Sequence, residues 1–217
     1  NCCNGRAHQR KVYSRKHLKV SCTVDFATRF DRMQNHTAEH IVSGIAHSLF
    51  GVTNVGFHLN DEEITLDFDK PLSREQLDEI EDRANAAVVA NLPVTVFYPS
   101  AKELSSLDYR SKKELSGSVR IVAIEGYDLC ACCAPHVART GEIGLIKLLD
   151  FIHYKGGVRL HLLAGRRALL DYRARYAATA AISRALSVPQ NECADGVDRI
   201  LSELGERKLQ AASLSRA

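Results

Sequence analysis

Two pairs of metal-ligating side chains in this chain share one spacing. His36 and His40 lie four residues apart, and so do Cys132 and His136. On a helix, residues at i and i+4 stand one above the other, with Cβ atoms about 5–6 Å apart. His36 and His40 can therefore turn both imidazoles toward one cation. One such pair is usually a half-exposed surface pair, and a free cysteine is usually a small buried hydrophobe. Two soft-ligand pairs of equal spacing are harder to assign to chance. Together they offer three imidazoles and one thiolate, a donor set suited to zinc at about 2.0–2.3 Å per ligand. A chain that uses them must bring two distant segments around one point.

A rival lies in the same residues. "HTAEH" (36–40) fits H-x-x-E-H, the inverted zinc-peptidase signature, with Glu39 as general base between two ligand histidines. That arrangement needs a further carboxylate from a later helix, and Glu79 and Glu81 offer one by residue type. It leaves Cys132 and His136 without a role. Both readings stand at the level of spacing.

The seven cysteines are odd in number and follow no regular framework, and Cys130, Cys132 and Cys133 crowd one segment. This usage suits thiol or metal chemistry in a reducing compartment, so a cytoplasmic location is expected. No apolar run approaches the roughly 20 residues of a membrane span. The opening "NCCNGRAHQRK" has no apolar segment of signal-peptide type and no initiator Met, so the chain reads as a piece of a longer protein. The net charge of +3 is too mild to announce a nucleic-acid binder by itself.

Along the chain, "HLKVSCTVDF" (17–26) alternates like a strand. From about Thr28 to Phe50, Ile41, Ile45 and Leu49, with Val42 and Ala46, trace one helix face that Gly51 ends. "VTNVGFHL" and "EEITLDFD" read as a hairpin. Residues 72–91 read as an amphipathic helix opened by Ser73 with Glu75 and Gln76, and "LPVTVFY" returns as a strand. Residues 100–117 are polar and irregular. "SVRIVAIEGYDL" reads as one strand entering the cysteine segment, and "GEIGLIKLLDFIHY" and "GVRLHLLAG" read as two more with "KGG" as the turn. Beyond Gly165 the pattern is helical. The expected class is α+β, an antiparallel sheet packed with helices, followed by a C-terminal helical arm.

"MQNHTAEHI", followed by "CACCAPHVARTGEIGLIKL" and "GGVRLHLLAG", resembles the editing domain of alanyl-tRNA synthetase and its free-standing AlaX-type alanyl-tRNA editing relatives. The likeness runs from about Val20 to Leu170 and includes "VDFATRFDRM", "ITLDFD" and "IEDRANAAVVANLPV" in order. A related editing domain in threonyl-tRNA synthetase shares the ligand pairs, but "TGEIG" and the closing "GGVRL…GRRAL" favour the alanyl branch. The resemblance implies one zinc ion on His36, His40, Cys132 and His136. It implies ATP-independent hydrolysis, in trans, of the ester joining a wrong amino acid, chiefly serine with glycine as a second candidate, to alanine tRNA. It also implies a layout: a remnant of an N-terminal β-domain at 1–27, a zinc-binding editing domain at 28–165, and a helical arm at 166–217 leading toward a C-terminal domain and offering a route to homodimers.

The likeness also assigns roles, with departures. Where the family often carries "QxGS", this chain has Asn54-Val55-Gly56-Phe57, so Asn54 and Phe57 become candidate pocket residues and His58 a candidate substitute for the lost hydroxyl. Cys133-Ala134-Pro135 stands where Gly-Gly-Thr is common. Thr140 and Gly141 are expected to shape the site or to meet the terminal ribose. Glu39 is a candidate for proton transfer, and Thr37 is expected only to pack its methyl. Arg110, Lys112, Lys113, Arg120, Lys155, Arg159, Arg166 and Arg167 are the candidate tRNA contacts. Besides the metallopeptidase, a non-catalytic zinc-stabilised tRNA-binding module is the remaining alternative.

Overall fold

The computed structural model describes residues 12–13, 19–60, 64–111 and 117–215, which fall into two compact units, one ending at Ala168 and one beginning at Leu169. The first unit opens with β1 (Val12–Tyr13) paired antiparallel to β2 (Lys19–Val20). Of the strand expected over 17–26, residues 17–18 lie outside the described residues, and the described strand ends at Val20. Asp25 instead caps a helix, accepting hydrogen bonds from the Thr28 backbone N–H (3.1 Å) and hydroxyl (2.7 Å). A cap satisfies an otherwise orphaned helix donor, and it overrides the alternation here.

That helix is α1 (Phe26–Phe50). It is followed by β3 (Asn54–Leu59), β4 (Ile64–Phe68), α2 (Arg74–Ala90), β5 (Val94–Phe97) and the short α3 (Ala101–Leu104). Then come β6 (Ile121–Ile124), β7 (Asp128–Ala131), a 3₁₀ turn (Thr140–Ile143), β8 (Ile146–Tyr154) and β9 (Gly157–Ala164). Two antiparallel sheets result, ordered β3-β4-β9-β8 and β5-β6-β7, and the class is α+β as expected.

α1 is the axis of this unit. One apolar face predicts a surface helix, yet between Met33 and Ala46 every residue but His36 is buried. The reason is that α2, β3, β7 and β9 all pack against it. Ile41 on α1, Leu77 and Ile80 on α2, and Leu66 and Leu160 on the larger sheet are fully buried in the shared core. Each such side chain contributes about 1.5–3 kcal/mol relative to exposure. The polar residues of α1 must then find partners inside the protein. Asn35, for example, accepts from the Ala164 N–H at 2.8 Å, tying α1 to β9.

The segment expected as one strand over 118–129 is a hairpin, with β6 and β7 joined through Glu125-Gly126-Tyr127. Its turn lies directly on α1 because position 44 is glycine: a Cβ there would sit 2.1 Å from the Tyr127 carbonyl oxygen. Gly44 is one helical turn past His40, so this close approach brings the start of β7 beside the histidine. The "KGG" turn is as expected, with Lys155 and Gly156 both at positive φ (49° and 84°), which matches the twist of β8 and β9. Ser73 and Gln76 form the capping box of α2. The stretch expected to be irregular from 100 holds α3, capped by Ser100 and Glu103.

α4 (Arg166–Leu186) and α5 (Cys193–Leu214) complete the chain. Within the second unit Val197, Ile200, Leu201 and Leu204 of α5 are exposed. Among the described residues no helix is long and apolar enough to cross a membrane.

Candidate metal centre

α1 presents His36 and His40 from successive turns, and the segment after β7 presents Cys132 and His136. One ligand atom from each lies within 4.8 Å of all the others. Cys132 Sγ stands 3.5 Å from His36 Nε2, and the ring of His36 stacks on that of His136 with centroids 4.2 Å apart. Ligands about 2.0–2.3 Å from a tetrahedral ion lie roughly 3.3–3.8 Å from one another, so a small ion fits this spacing.

The hydrogen bonds around the rings decide which nitrogens face inward. His36 Nδ1 is 3.3 Å from the Pro135 carbonyl, which can only accept. His40 Nδ1 is 2.8 Å from the Asp128 carboxylate. His136 Nδ1 is 3.2 Å from the Thr37 hydroxyl, which donates to the Met33 carbonyl at 2.8 Å. All three imidazoles thus carry a proton on Nδ1 and turn Nε2 toward the centre. His136 Nε2 is buried with no hydrogen-bond partner among the described residues, which is the state of a ligand atom rather than of a satisfied core histidine. Thr37, expected only to pack, is one of the groups that orient the ligands.

Burial opposes ionisation of Cys132, but the imidazoles of His136, His36 and His40 around it hold its thiol down at about 3, so it is a thiolate. Burial likewise disfavours charge on His40, and Asp128, Cys132 and Glu39 outweigh it, raising it to about 9, so in the ion-free protein His40 carries a second proton, on Nε2, that a bound ion would displace. Burial keeps His136 neutral, down to about 4. Cys130, two residues from Cys132, is pushed up to about 12 by burial and stays a thiol. The cluster can hold a metal ion.

Glu39 is nearly fully buried beside this centre. Its Oε1 accepts from Ser43 Oγ (2.9 Å) and Asn54 Nδ2 (2.7 Å), and its Oε2 lies 3.9 Å from His40 Nε2. Asn54 is consequently committed to Glu39, while Phe57 stacks on His36 with centroids 5.6 Å apart. The two expected pocket residues open onto different cavities. One of about 590 Å³ is bounded by His36, Phe57, Leu59, Pro135, Arg29 and Arg32. The other, of about 330 Å³, is bounded by Asn54, Arg110, Asp128 and Cys130 among others.

Several expected site residues are elsewhere. His58 follows Phe57 on β3 and so points to the opposite face, exposed and 3.9 Å from Asp67. Thr140 is fully buried, donating to the Ala87 carbonyl at 2.6 Å and accepting from Leu92 N–H at 2.7 Å, and Gly141 lies against the Asn91 side chain. Both fasten the 3₁₀ turn to the end of α2. Glu79 pairs with Arg83, and Glu81 with Lys147 and the Leu148 N–H, so neither supplies the carboxylate that the peptidase reading requires.

Four of the eight candidate tRNA contacts are engaged within the protein by acids or carbonyls. Arg110 binds Asp128 at 2.7 Å, Arg120 holds the carbonyls of Cys132 and Ala134, and Arg167 grips Asp31. Arg159 forks onto Asp67 at 2.6 and 2.7 Å and packs over the Tyr154 ring. Lys155 lies 5.0 Å over the same ring, Arg166 is exposed, and Lys112 and Lys113 lie outside the described residues. The expectation missed Asp128. Its signal was alternation, since Asp128 and Cys130 are two apart on β7 and share a face, and Cys132 follows two residues on.

Residues 119–160, which carry Asp128, Cys132 and His136, match the family described as the threonyl and alanyl tRNA synthetase second additional domain. Over 187 residues the chain is 30 % identical to alanyl-tRNA editing protein Aarsd1-A of Xenopus laevis, a match covering 84 % of this chain and 45 % of that protein. The chain is a relative of the alanyl-tRNA editing proteins. Aarsd1 of Danio rerio is 26 % identical over 202 residues, 91 % of this chain and 48 % of that protein. Alanine–tRNA ligase of Desulforudis audaxviator is 32 % identical over 200 residues, 88 % of this chain and 22 % of the ligase. The chain therefore spans less than half the length of these editing-protein relatives.

Proposed function

We propose that the chain hydrolyses, in trans, the ester of misacylated alanine tRNA, with seryl and then glycyl esters as substrates and zinc as the ion of the centre. The observation that carries this reading is the convergence of three Nε2 atoms and a thiolate in a chain related to alanyl-tRNA editing proteins. A divalent ion held there supplies Lewis-acid polarisation to an ester carbonyl. The chain's own groups do the rest. Glu39, fixed by Asn54 and Ser43, takes the proton from the attacking water and returns it to the departing ribose oxygen. Phe57 and the cavity beside His36 shelter the ester from bulk water. Lys155 and Arg166 are the exposed cations we assign to tRNA phosphates. The thiolate ligand fits a reducing compartment, hence the cytoplasm, and the exposed apolar residues of α5 fit self-association through the helical arm.

The test is deacylation of Ser-, Gly- and Ala-charged alanine tRNA, with Cys132→Ala and His136→Ala beside the native chain. Release of serine that both substitutions abolish is the expected result; release that survives loss of the ion contradicts it. A second reading has its own support. Four protein ligands around one ion is the closed arrangement of structural zinc. A non-catalytic tRNA-binding module would retain Ser-tRNA intact at every enzyme concentration while unfolding on chelation.

A further inference from the structure

The three imidazoles of the centre are not held alike. His36 rests on a backbone carbonyl and His136 on a hydroxyl, while His40 donates to a carboxylate, Asp128 Oδ2, at 2.8 Å. The other carboxylate oxygen, Oδ1, accepts from Arg110 Nε at 2.7 Å. Arg110 is itself locked to β7: its N–H donates to the Leu129 carbonyl at 2.8 Å, and its carbonyl accepts from the Ala131 N–H at 2.9 Å. The side chains of Asp128 and Arg110 are 1 % and 16 % exposed, and Arg110 Nη2 is buried with no hydrogen-bond partner among the described residues. A guanidinium withdrawn from water to this degree, with one donor unsatisfied, is poorly placed for an RNA phosphate. Its geometry is spent on Asp128.

We propose that Arg110 and Asp128 are positioning residues of the metal centre: Arg110 fixes the Asp128 carboxylate, and Asp128 fixes His40 with its proton on Nδ1 and its Nε2 lone pair toward the other ligands. This rests on the reading that His36, His40, Cys132 and His136 hold a divalent ion. It has a consequence that packing alone would not produce. An amide at position 128 cannot serve both neighbours. If its oxygen accepts from His40, its NH₂ group faces Arg110 Nε–H, donor against donor. If it turns over, the NH₂ group faces His40 Nδ1, and the ring must move its proton to Nε2, removing a lone pair from the centre. Arg110 stays protonated at any ordinary pH, whereas His40 can change tautomer, so the second orientation prevails. Removing the guanidinium as well frees the amide to accept from His40 again.

The experiment measures zinc affinity of the full chain by competition with a chromophoric chelator, and the absorption of its Co²⁺ form. The variants are Asp128→Asn, Arg110→Met and the double variant, with thermal unfolding of each ion-free protein as a check on folding. Asp128→Asn should bind zinc about 10–100-fold more weakly. The double variant should bind more tightly than Asp128→Asn and recover the native Co²⁺ spectrum. An Asp128→Asn affinity within about twofold of native, or a double variant no tighter than Asp128→Asn, overturns the positioning role while leaving the metal centre intact. A native chain that binds neither ion overturns the centre and this role together. Should Asp128→Asn fail to fold, Arg110→Met decides: weaker zinc binding supports the pair, and unchanged binding refutes it.

Discussion

At the scale of single residues, the centre depends on neighbours that set protons as much as on the ligands themselves. Glu39 illustrates this. Its carboxylate is held at one oxygen by Ser43 and Asn54, both donors, so a glutamine can keep the same contacts through its carbonyl. Glu39→Gln should therefore retain its metal and fold while single-turnover deacylation falls about 10²–10⁴-fold, the usual contribution of a proton-transfer group. An unchanged rate would reduce Glu39 to a packing residue. The ion-free protein should also show a distinctive dependence on pH. Cys132 is depressed from 9.0 to about 3 and His136 from 6.5 to about 4, so between pH 4 and 6.5 the unfolded chain binds the extra proton at both, and stability rises with pH. His40 is raised from 6.5 to about 9, so its contribution is complete below 6.5 and is lost as pH rises toward 9. In that upper window it opposes Cys132. Urea denaturation in chelator should give a steep rise from pH 4 to 6.5 followed by a plateau; a flat profile below 6.5 would contradict the charge states assigned here.

At the scale of elements, the site exists because α1 is buried on nearly all sides and the β6–β7 turn presses against it over Gly44. The 3₁₀ turn is fastened separately through Thr140. Thr140→Val keeps the shape but leaves the Ala87 carbonyl and the Leu92 N–H without this partner. A cost of about 1–3 kcal/mol is expected in urea denaturation, with zinc affinity unchanged. A change in zinc affinity would return Thr140 to the site. These elements also show what a sequence discloses. The two ligand pairs were legible because i,i+4 spacing is local, and α2 because Ser73 and Gln76 cap it locally. The hairpin within 118–129 was hidden because its apolar run continues up to the turn. Arg110, Arg120, Arg159 and Arg167 read as an RNA-facing set because charge is visible in a sequence, whereas the acid or carbonyl that takes it up comes from another element. Asp128 was missed for the same reason.

At the scale of the whole molecule, four of the eight candidate cations are engaged with the protein's own acids or carbonyls, which leaves fewer of them for an RNA surface. The chain spans 45 % of the Aarsd1-A sequence it matches. Whatever tRNA surface it offers must come chiefly from the exposed cations, Lys155 and Arg166 among them. Metal, fold and proposed activity meet in one quantity, the ions bound per chain. Elemental analysis of the purified native chain and of the Cys132→Ala and His36→Ala variants measures it directly. The account predicts one zinc per native chain and none in either variant, because each removes a ligand contributed by a different segment. A native chain without metal, or zinc retained after both substitutions, would contradict it.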